Sequence, residues 1–468
     1  MEQEQVKKKK FKVPHVFVII MGMALLCALL TYVIPAGQYD RVENADGRMV
    51  VDPDSFHYVE RTPVNLFMFF QSFHQGLEET AGIIFFLFIV GGSFSVVQAT
   101  GAIEAVLGHA TKKMSGKERL LVPVVMILFS LGGATFGMAE EALPFIPIMV
   151  MLAISLGFDS LTGAAIVMAG AGAGFAGAFL NPFTVGVAQG IAGLPLSSGM
   201  GLRIVLYFAM TALTIGYVFW YTGRLKKNPS YSLMYEFDQT REDKLDMSQL
   251  KKMSARHIII ILIMIAAIIT FTVGVIQFGW YFKELTAVFL VMAIASALIG
   301  GMGLDGFAEE LTKGMATIAS GALIVGFARA ILVIMTQGQI IDTILYGAAS
   351  LVGGLPSWGA AVGMYIFQCF LNFLIPSGSG QAAVSMPIMA PLADLTGVTR
   401  QTAVLAYQLG DGISNIFTPT SGYFMAGLAL AKVPWSKWAK WFWKLLLLQY
   451  ALGLVFILIA TATNYGPF

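Results

Sequence analysis

Apolar runs long enough to cross a lipid bilayer follow one another from about residue 14 to residue 462, and no other feature narrows the possible folds so far. A hydrocarbon core of about 30 Å is crossed by a helix of about 20 residues. In lipid every backbone amide and carbonyl must find its partner within the protein, so runs of this length read as helices. Windows near 14–34, 81–99, 160–193, 202–222, 257–278, 284–301, 317–337, 400–430 and 441–462 fit that ruler. The chain is 57% hydrophobic and 12% charged with a mean hydropathy of +0.75, which leaves no stretch for a separate soluble domain. Its net charge of +2 is spread over loops, which argues against a nucleic-acid partner. Lys7 to Lys10 and Lys12 precede the first run. That run, about Val13 to Ile34, spans fully and closes without a small-x-small cleavage pattern, so a retained helix is expected rather than a signal peptide. Cys27 and Cys369 lie inside apolar runs, as packing residues rather than a disulfide or metal site.

Two segments, 120–157 and 358–396, each pair two apolar arms around a small or polar tip. Arms of about 13–15 residues are too short to cross, so both read as re-entrant helical hairpins. Spans 160–193 and 400–430 have the opposite fault, being too long for one straight helix. Pro182 and Pro419 stand within polar, glycine-bearing patches there and mark breaks in mid-membrane.

Charge orients these elements, because cytoplasmic loops retain Lys and Arg. The basic N-terminal tail goes inside. Loop 35–62 carries three basic and six acidic residues and goes outside. Loop 108–119, with Lys112, Lys113, Lys117 and Arg119, and the long loop 223–256, with eight Lys and Arg, go inside. Loop 338–357 contains Asp342 and no basic residue, which puts it outside. Trp435, Trp438, Trp441 and Trp443, interleaved with Lys437, Lys440 and Lys444, read as an interfacial belt.

The chain also compares with itself. Pro147-Ile148-Met149 recurs as Pro387-Ile388-Met389 and Thr162 as Thr402, both at an offset of 240. Asn181-Pro182 meets Thr418-Pro419, and Gly101 with Ile103 meets Gly338 with Ile340, at 237. Each half runs as a span, an amphipathic stretch (63–80 or 303–316), a span, a hairpin, a broken helix and a final span. The helix 257–278 has no counterpart, and one unpaired helix between equal units turns the second upside down. The expected fold is therefore an all-α polytopic membrane protein of two inverted repeats, each with a re-entrant hairpin and a broken helix, a transporter architecture. Residues 1–222 form the first repeat, 223–283 a cytoplasmic loop and linker helix, and 284–468 the inverted second repeat.

Four segments converge in such a fold: tips 130–141 and 376–381, and breaks 177–190 and 410–422. Broken helices leave backbone groups unpaired, which in lipid is tolerated only beside protein, ions or a water-filled cavity. The expected substrate-binding residues are Thr135, Glu140, Glu141, Asn181, Thr184, Asn372, Ser377, Ser379, Gln381, Asn415, Thr418 and Thr420. Those expected to couple an ion, Na⁺ or H⁺, are Gly133, Asn181, Asp411, Thr418 and Ser421. Adjacent carboxylates such as Glu140 and Glu141 are costly in low dielectric and should face a cavity, a cation or a shared proton. The bland readings are hydrogen bonding between helices for the Asn, Ser and Thr groups, and cytoplasmic wetting for the two glutamates. Arg329 is the one basic residue read as lying well inside a span, where it either grips a substrate carboxylate or pairs with a neighbouring acid. The five histidines lie outside the four segments and show no zinc spacing, so neither a metal nor a resident cofactor is expected. By sign, Glu140, Glu141 and Asp411 without any Lys or Arg favour cations or zwitterions over dianions.

Gly137-Met138-Ala139-Glu140-Glu141, the run from Asn181-Pro182-Phe183-Thr184 to Ala188-Gln189, and Pro376-Ser377-Gly378-Ser379-Gly380-Gln381 resemble the YfcC-type branch of the C4-dicarboxylate anaerobic carrier family. The resemblance runs over nearly the whole chain. It implies membership of the ion transporter superfamily, whose members are dimers with a scaffold domain and a moving transport domain, and hence an elevator mechanism. It also implies antiport of basic amino acids such as arginine and ornithine, although the family name points to dicarboxylates. The superfamily's Ser-Asn-Thr signature is absent from both tips, where Thr135 and Ser377 to Ser379 stand instead. The expectation is a secondary transporter in the bacterial inner membrane, a homodimer acting on a small molecule, not an enzyme. An intramembrane aspartyl protease fails on Gln408, which breaks Gly-x-Gly-Asp, and on the lack of a second mid-span Asp. A passive channel is told apart by the saturation and counterflow of a carrier, and a non-transporting sensor has no extra domain to support it.

Overall fold

The computed structural model describes residues 16–43, 49–52, 54–103, 105, 116–135, 137–196, 198–241, 253–278, 280 and 282–466. The basic N-terminal tail, Lys112 and Lys113, and residues 242–252 of the long basic loop lie outside the described residues.

The described chain is almost all helix. It runs α1 (Val16–Val33), two short ribbons made of β1 (Gly37–Gln38), β2 (Arg41–Glu43), β3 (Met49–Val51) and β4 (His57–Tyr58), then α2 (Leu66–Glu79) and α3 (Ala81–Ala99). A first hairpin follows, α4 (Leu121–Thr135) and α5 (Phe145–Ser155), then α6 (Ser160–Ala176), a π-helical turn (Pro182–Gly186), α7 (Val187–Ile191) and α8 (Met200–Lys227). After the short α9 (Tyr235–Gln239) come α10 (Ala255–Phe278), α11 (Phe282–Gly300), α12 (Leu304–Gln337) and α13 (Ile341–Gly353). A second hairpin, α14 (Ser357–Leu374) and α15 (Gly378–Thr396), precedes α16 (Arg400–Ser414), α17 (Gly422–Leu430) and α18 (Trp435–Ala462). Seven helices among the described residues are long and apolar enough to cross a membrane, which makes this a multi-pass membrane protein.

Within 120–157 and 358–396 the chain forms two consecutive α-helices with a turn between them, and α-helical structure stops at Ala176 and Ser414 inside the two long runs. The length argument for re-entry holds only in part. The arms are 15 and 11 residues in the first hairpin but 18 and 19 in the second. At 1.5 Å per residue the latter approach the thickness of the hydrocarbon core.

Two other expectations need correction. The stretch 303–316 and the span 317–337 are one 34-residue helix, α12, because nothing in its interior breaks the backbone. Its charged first third is accommodated sideways: Glu310 accepts from Ser95 Oγ at 3.1 Å and pairs with Lys313 at 3.5 Å. Loop 338–357 is mostly the amphipathic helix α13, which buries Asp342, Leu345 and Val352. Asp342 is held there by Arg41, whose Nη2 donates to both carboxylate oxygens at 3.0 Å, and Phe56 stacks on Tyr346 at 4.1 Å. These contacts tie the ribbons to α13.

The packing repeats along the chain. α12 lies antiparallel along α2 and α3, where small residues let the backbones touch. A Cβ on Gly76 would meet Gly326 O at 2.4 Å and Ala330 N at 2.8 Å; one on Gly314 would meet Gly91 O at 2.5 Å and Gly92 Cα at 2.7 Å. Gly76 and Gly314 are 238 positions apart, as are Gly92 and Ala330, so the two contacts exchange under one offset. Caps repeat as well. Asp159 opens α6 by accepting from Thr162 N at 2.9 Å, and Thr399 opens α16 by accepting from Thr402 N at 3.2 Å, an offset of 240.

The core is formed by α6 and α16, buried on nearly every face despite their many small and polar residues. Two tryptophans of α18, Trp438 and Trp441, are buried in that core, Trp435 is half-buried and Trp443 is exposed. At the mouth of the first hairpin, Glu118 accepts a hydrogen bond from Lys226, and that bond holds its carboxyl down at about 2.

Candidate functional site

The two broken helices cross next to their breaks. A Cβ on Gly412 would lie 2.6 Å from Ala176 Cα, and one on Gly172 would lie 2.7 Å from Ile416 Cγ2. Gly172 and Gly412, like Ala176 and Ile416, are 240 positions apart, so the two contacts of this crossing exchange under that offset. Beside it opens a central cavity of about 380 Å³ bordered by both hairpin tips and both breaks.

The first tip follows α4. Glu140 and Glu141 sit in a 3₁₀ turn, where Glu141 accepts from Ala139 N at 3.0 Å, and both border the cavity. Asn181 organises the first break, accepting from Phe183 N at 2.9 Å and Thr184 N at 3.3 Å, while its own Nδ2 has no partner among the described residues. Proline at 182 leaves no amide to donate, so the side-chain cap replaces the missing helical bond. Thr184 reaches the cavity wall and its hydroxyl is likewise without a partner.

The second tip, Pro376 to Ser379, hangs on the second break. Tyr407 donates to Gly378 O at 2.6 Å and Thr420 to Phe373 O at 2.8 Å. Asn372 donates to Asp411 Oδ1 at 2.8 Å and to Gln381 Oε1 at 3.1 Å, and Gln381 donates on to Gln368. Asn415 also donates to Asp411 Oδ1, at 2.8 Å. Asp411 is fully buried, with its Oδ2 unpartnered among the described residues, as are Asn372 Oδ1 and Asn415 Oδ1. Three oxygen acceptors in one buried network are a donor set that suits a hard cation or a proton.

Six of the residues expected to bind substrate therefore border the central cavity: Glu140, Glu141, Thr184, Ser377, Ser379 and Asn415. Thr420 borders an adjoining lateral cavity of about 380 Å³, which shares Glu140, Ser377 and Tyr423 with the central one. Asn181, Asn372, Gln381 and Asp411 stand behind the lining and hold it. Thr418 is occupied with Thr420, hydroxyl to hydroxyl at 3.0 Å, and Ser421 is buried with its hydroxyl unpartnered. Thr135 falls outside the lining and donates to Leu131 O of its own helix at 2.6 Å. Gly133 serves close packing, since a Cβ there would meet Ala171 O at 2.2 Å.

Arg329 pairs with Glu79, Nε to Oε2 at 2.7 Å, and borders the lateral cavity. A second arginine escaped the sequence reading. Arg203, in the first turn of α8, is fully buried and donates to Ser198 O and Gln401 Oε1. Phe175 and Tyr423 were also missed as lining residues; their only signal was adjacency to the breaks.

A family model described as the C4-dicarboxylate anaerobic carrier matches residues 13–462. The chain belongs to the C4-dicarboxylate anaerobic carrier family. Within reach of that family, it is 36% identical to an Escherichia coli (strain K12) protein named "Putative basic amino acid antiporter YfcC", over 98% of each chain. It is 30% identical to an uncharacterized protein of Haemophilus influenzae, over 93% of this chain and 94% of that one. The crystal structure of the Alcanivorax borkumensis YdaH transporter aligns over 97% of this chain and all of its own, at 16% identity and a TM-score of 0.42.

Proposed function

We propose that this carrier is a secondary active transporter of amino acids, with basic ones such as arginine and ornithine as substrates, working by exchange or by coupling to Na⁺ or H⁺. One observation carries the reading: among the described residues, the central cavity between the two tips and breaks is bordered by Glu140 and Glu141 and by no Lys or Arg. A carboxylate pair in a low-dielectric site attracts a cationic group and repels a dianion. The name borne by the 36% identical relative points the same way.

The mechanism follows from the placement of the parts. Glu140 and Glu141 neutralise the cationic end of the solute, and the tips, with Ser377 and Ser379, close over it. Asp411 with Asn372 and Asn415 takes the coupling ion. The exchange of Gly172–Ile416 for Gly412–Ala176 under an offset of 240 supports two inverted repeats, 1–222 and 284–468, joined through 223–283. In this reading the hairpins and broken helices move as an elevator against α2, α3 and α12 in a homodimer. The N-terminus lies in the cytoplasm, the ribbons outside, and the protein in the bacterial inner membrane.

Uptake of labelled arginine into proteoliposomes, competed with ornithine, lysine and succinate, tests the reading. Saturable arginine uptake with counterflow by ornithine is the expected result. Uptake of succinate alone would turn the assignment to C4-dicarboxylate transport, as the family name suggests, and flux without saturation or counterflow would indicate a channel.

A further inference from the structure

Arg329 borders two adjoining cavities: the lateral one, and a third of about 460 Å³ that opens toward the ribbons and Arg41. Ser377, on the second tip, borders all three cavities. A route from the ribbon end to Glu140 therefore passes Arg329.

The way Arg329 is held is informative. Its Nε donates to Glu79, and Glu79 Oε1 accepts from Gln75 at 3.0 Å, which in turn accepts from Gln337 at 2.9 Å. This ladder of polar side chains runs down an otherwise apolar seam between α2 and α12. Among the described residues no hydrogen bond engages Nη1 or Nη2. Glu79 thus fixes the guanidinium through one corner and leaves its two-pronged edge open, the edge that fits a carboxylate with two parallel N–H donors. The side chains of the pair remain 39% and 32% exposed, and a half-exposed pair of this kind adds little to stability. The lateral cavity then has Arg329 on one wall and Glu140 on another, a pairing of charges complementary to a solute with a carboxylate at one end and a cation at the other.

We propose that Arg329 is a binding station for the solute's carboxylate between the ribbon end and the central cavity, with Glu79 as its positioning residue. The proposal rests on the carrier reading given above. Amino acids and dicarboxylates both carry the group, and the test separates them.

Wild-type protein in proteoliposomes is treated with phenylglyoxal, and modification of the peptide containing Arg329 is followed by mass spectrometry. The additions are arginine, argininamide, which lacks the carboxylate, and succinate, with phenylglyoxal held in excess over either guanidine so that their own reaction with it does not deplete the reagent. Arginine at about ten times its half-saturating concentration should slow modification about tenfold, and argininamide should not. Equal rates under all conditions, or equal protection by argininamide, overturn the proposal. Protection by succinate without protection by arginine upholds the station and overturns the amino-acid reading, so the two fail separately. R329K keeps the charge and loses the fork; its KM for arginine presented at the ribbon end should rise about tenfold. An unchanged KM in R329K counts against the station.

Discussion

Gly412→Ala perturbs the crossing of the broken helices directly. The added Cβ would lie 2.6 Å from Ala176 Cα and 2.9 Å from Ala176 N. Non-bonded carbons rest at about 3.5–4.0 Å, so the helices must part by about 1 Å. α6 and α16 are buried on nearly every face, and the hairpins behind them resist that shift. Overpacking of this kind costs about 1–3 kcal/mol, and a backbone neighbour places G412A toward the upper end. Its counterpart is the control. A Cβ on Gly172 meets Ile416 Cγ2 at 2.7 Å and Cδ1 at 2.9 Å, side-chain atoms that a rotamer change can withdraw. G172A should therefore cost about 1 kcal/mol, and less when combined with I416V. The midpoint of thermal unfolding of the purified protein in detergent, measured for both variants, reads the difference. Gly412 also borders the central cavity, so G412A should slow arginine uptake as well. A G172A midpoint as low as that of G412A, or a G412A midpoint equal to wild type, would refute the reasoning.

Asp411→Asn removes the charge while leaving acceptors for Asn372 and Asn415, and should abolish the dependence of uptake on the coupling ion; unchanged ion dependence rejects that role. Replacing Glu140 and Glu141 together by Gln should weaken competition by cationic amino acids about tenfold or more, with a smaller effect on neutral ones, and an equal effect on both classes would contradict the charge argument. Glu118→Gln should cost under about 1 kcal/mol near neutral pH, because its bond to Lys226 is at the surface. With the folded carboxyl held at about 2, that small contribution is present above the ordinary glutamate value and fades as pH falls toward 2. A variant that lost stability only at alkaline pH would reverse the sign.

The helices and the breaks at 177–190 and 410–422 were legible because lipid imposes one ruler on apolar length, and because Pro182 and Pro419 punctuate runs too long for a single crossing. What stayed hidden were elements for which that ruler gives no reading. α13 is a 13-residue amphipathic helix, short of a span, and the ribbons have strands of two or three residues. The charges of residues 305–313 looked like a boundary, yet they ride on the surface of one long helix whose close contact comes from Gly314. Depth along a span also proved a poor guide to burial. Arg329, in mid-span, is partly exposed, whereas Arg203, near a span end, is fully buried. For the site, the sequence placed Glu140, Glu141 and the serines at the cavity but gave no reason to set Thr135 apart, since its capture by Leu131 O depends on its rotamer in α4.

A broken helix in lipid was expected to offer its freed carbonyls to an ion, and the second break has found other partners for several of the carbonyls around it. Trp438 donates to Ile416 O and Trp435 to Phe417 O, each at 3.0 Å, and Thr420 takes Phe373 O. Gln408 takes Phe175 O, at the end of the other broken helix. Satisfying these groups lets the backbone stay unwound without water. The unpartnered acceptors around Asp411 are instead side-chain oxygens: its own Oδ2 and the amide oxygens of Asn372 and Asn415. Asn372 belongs to the second hairpin and Asn415 to the break, so a cation held by all three would tie the tip to the broken helix. In the proposed mechanism, ion occupancy and closure of the tip would then be one event, which is the linkage a coupled carrier requires.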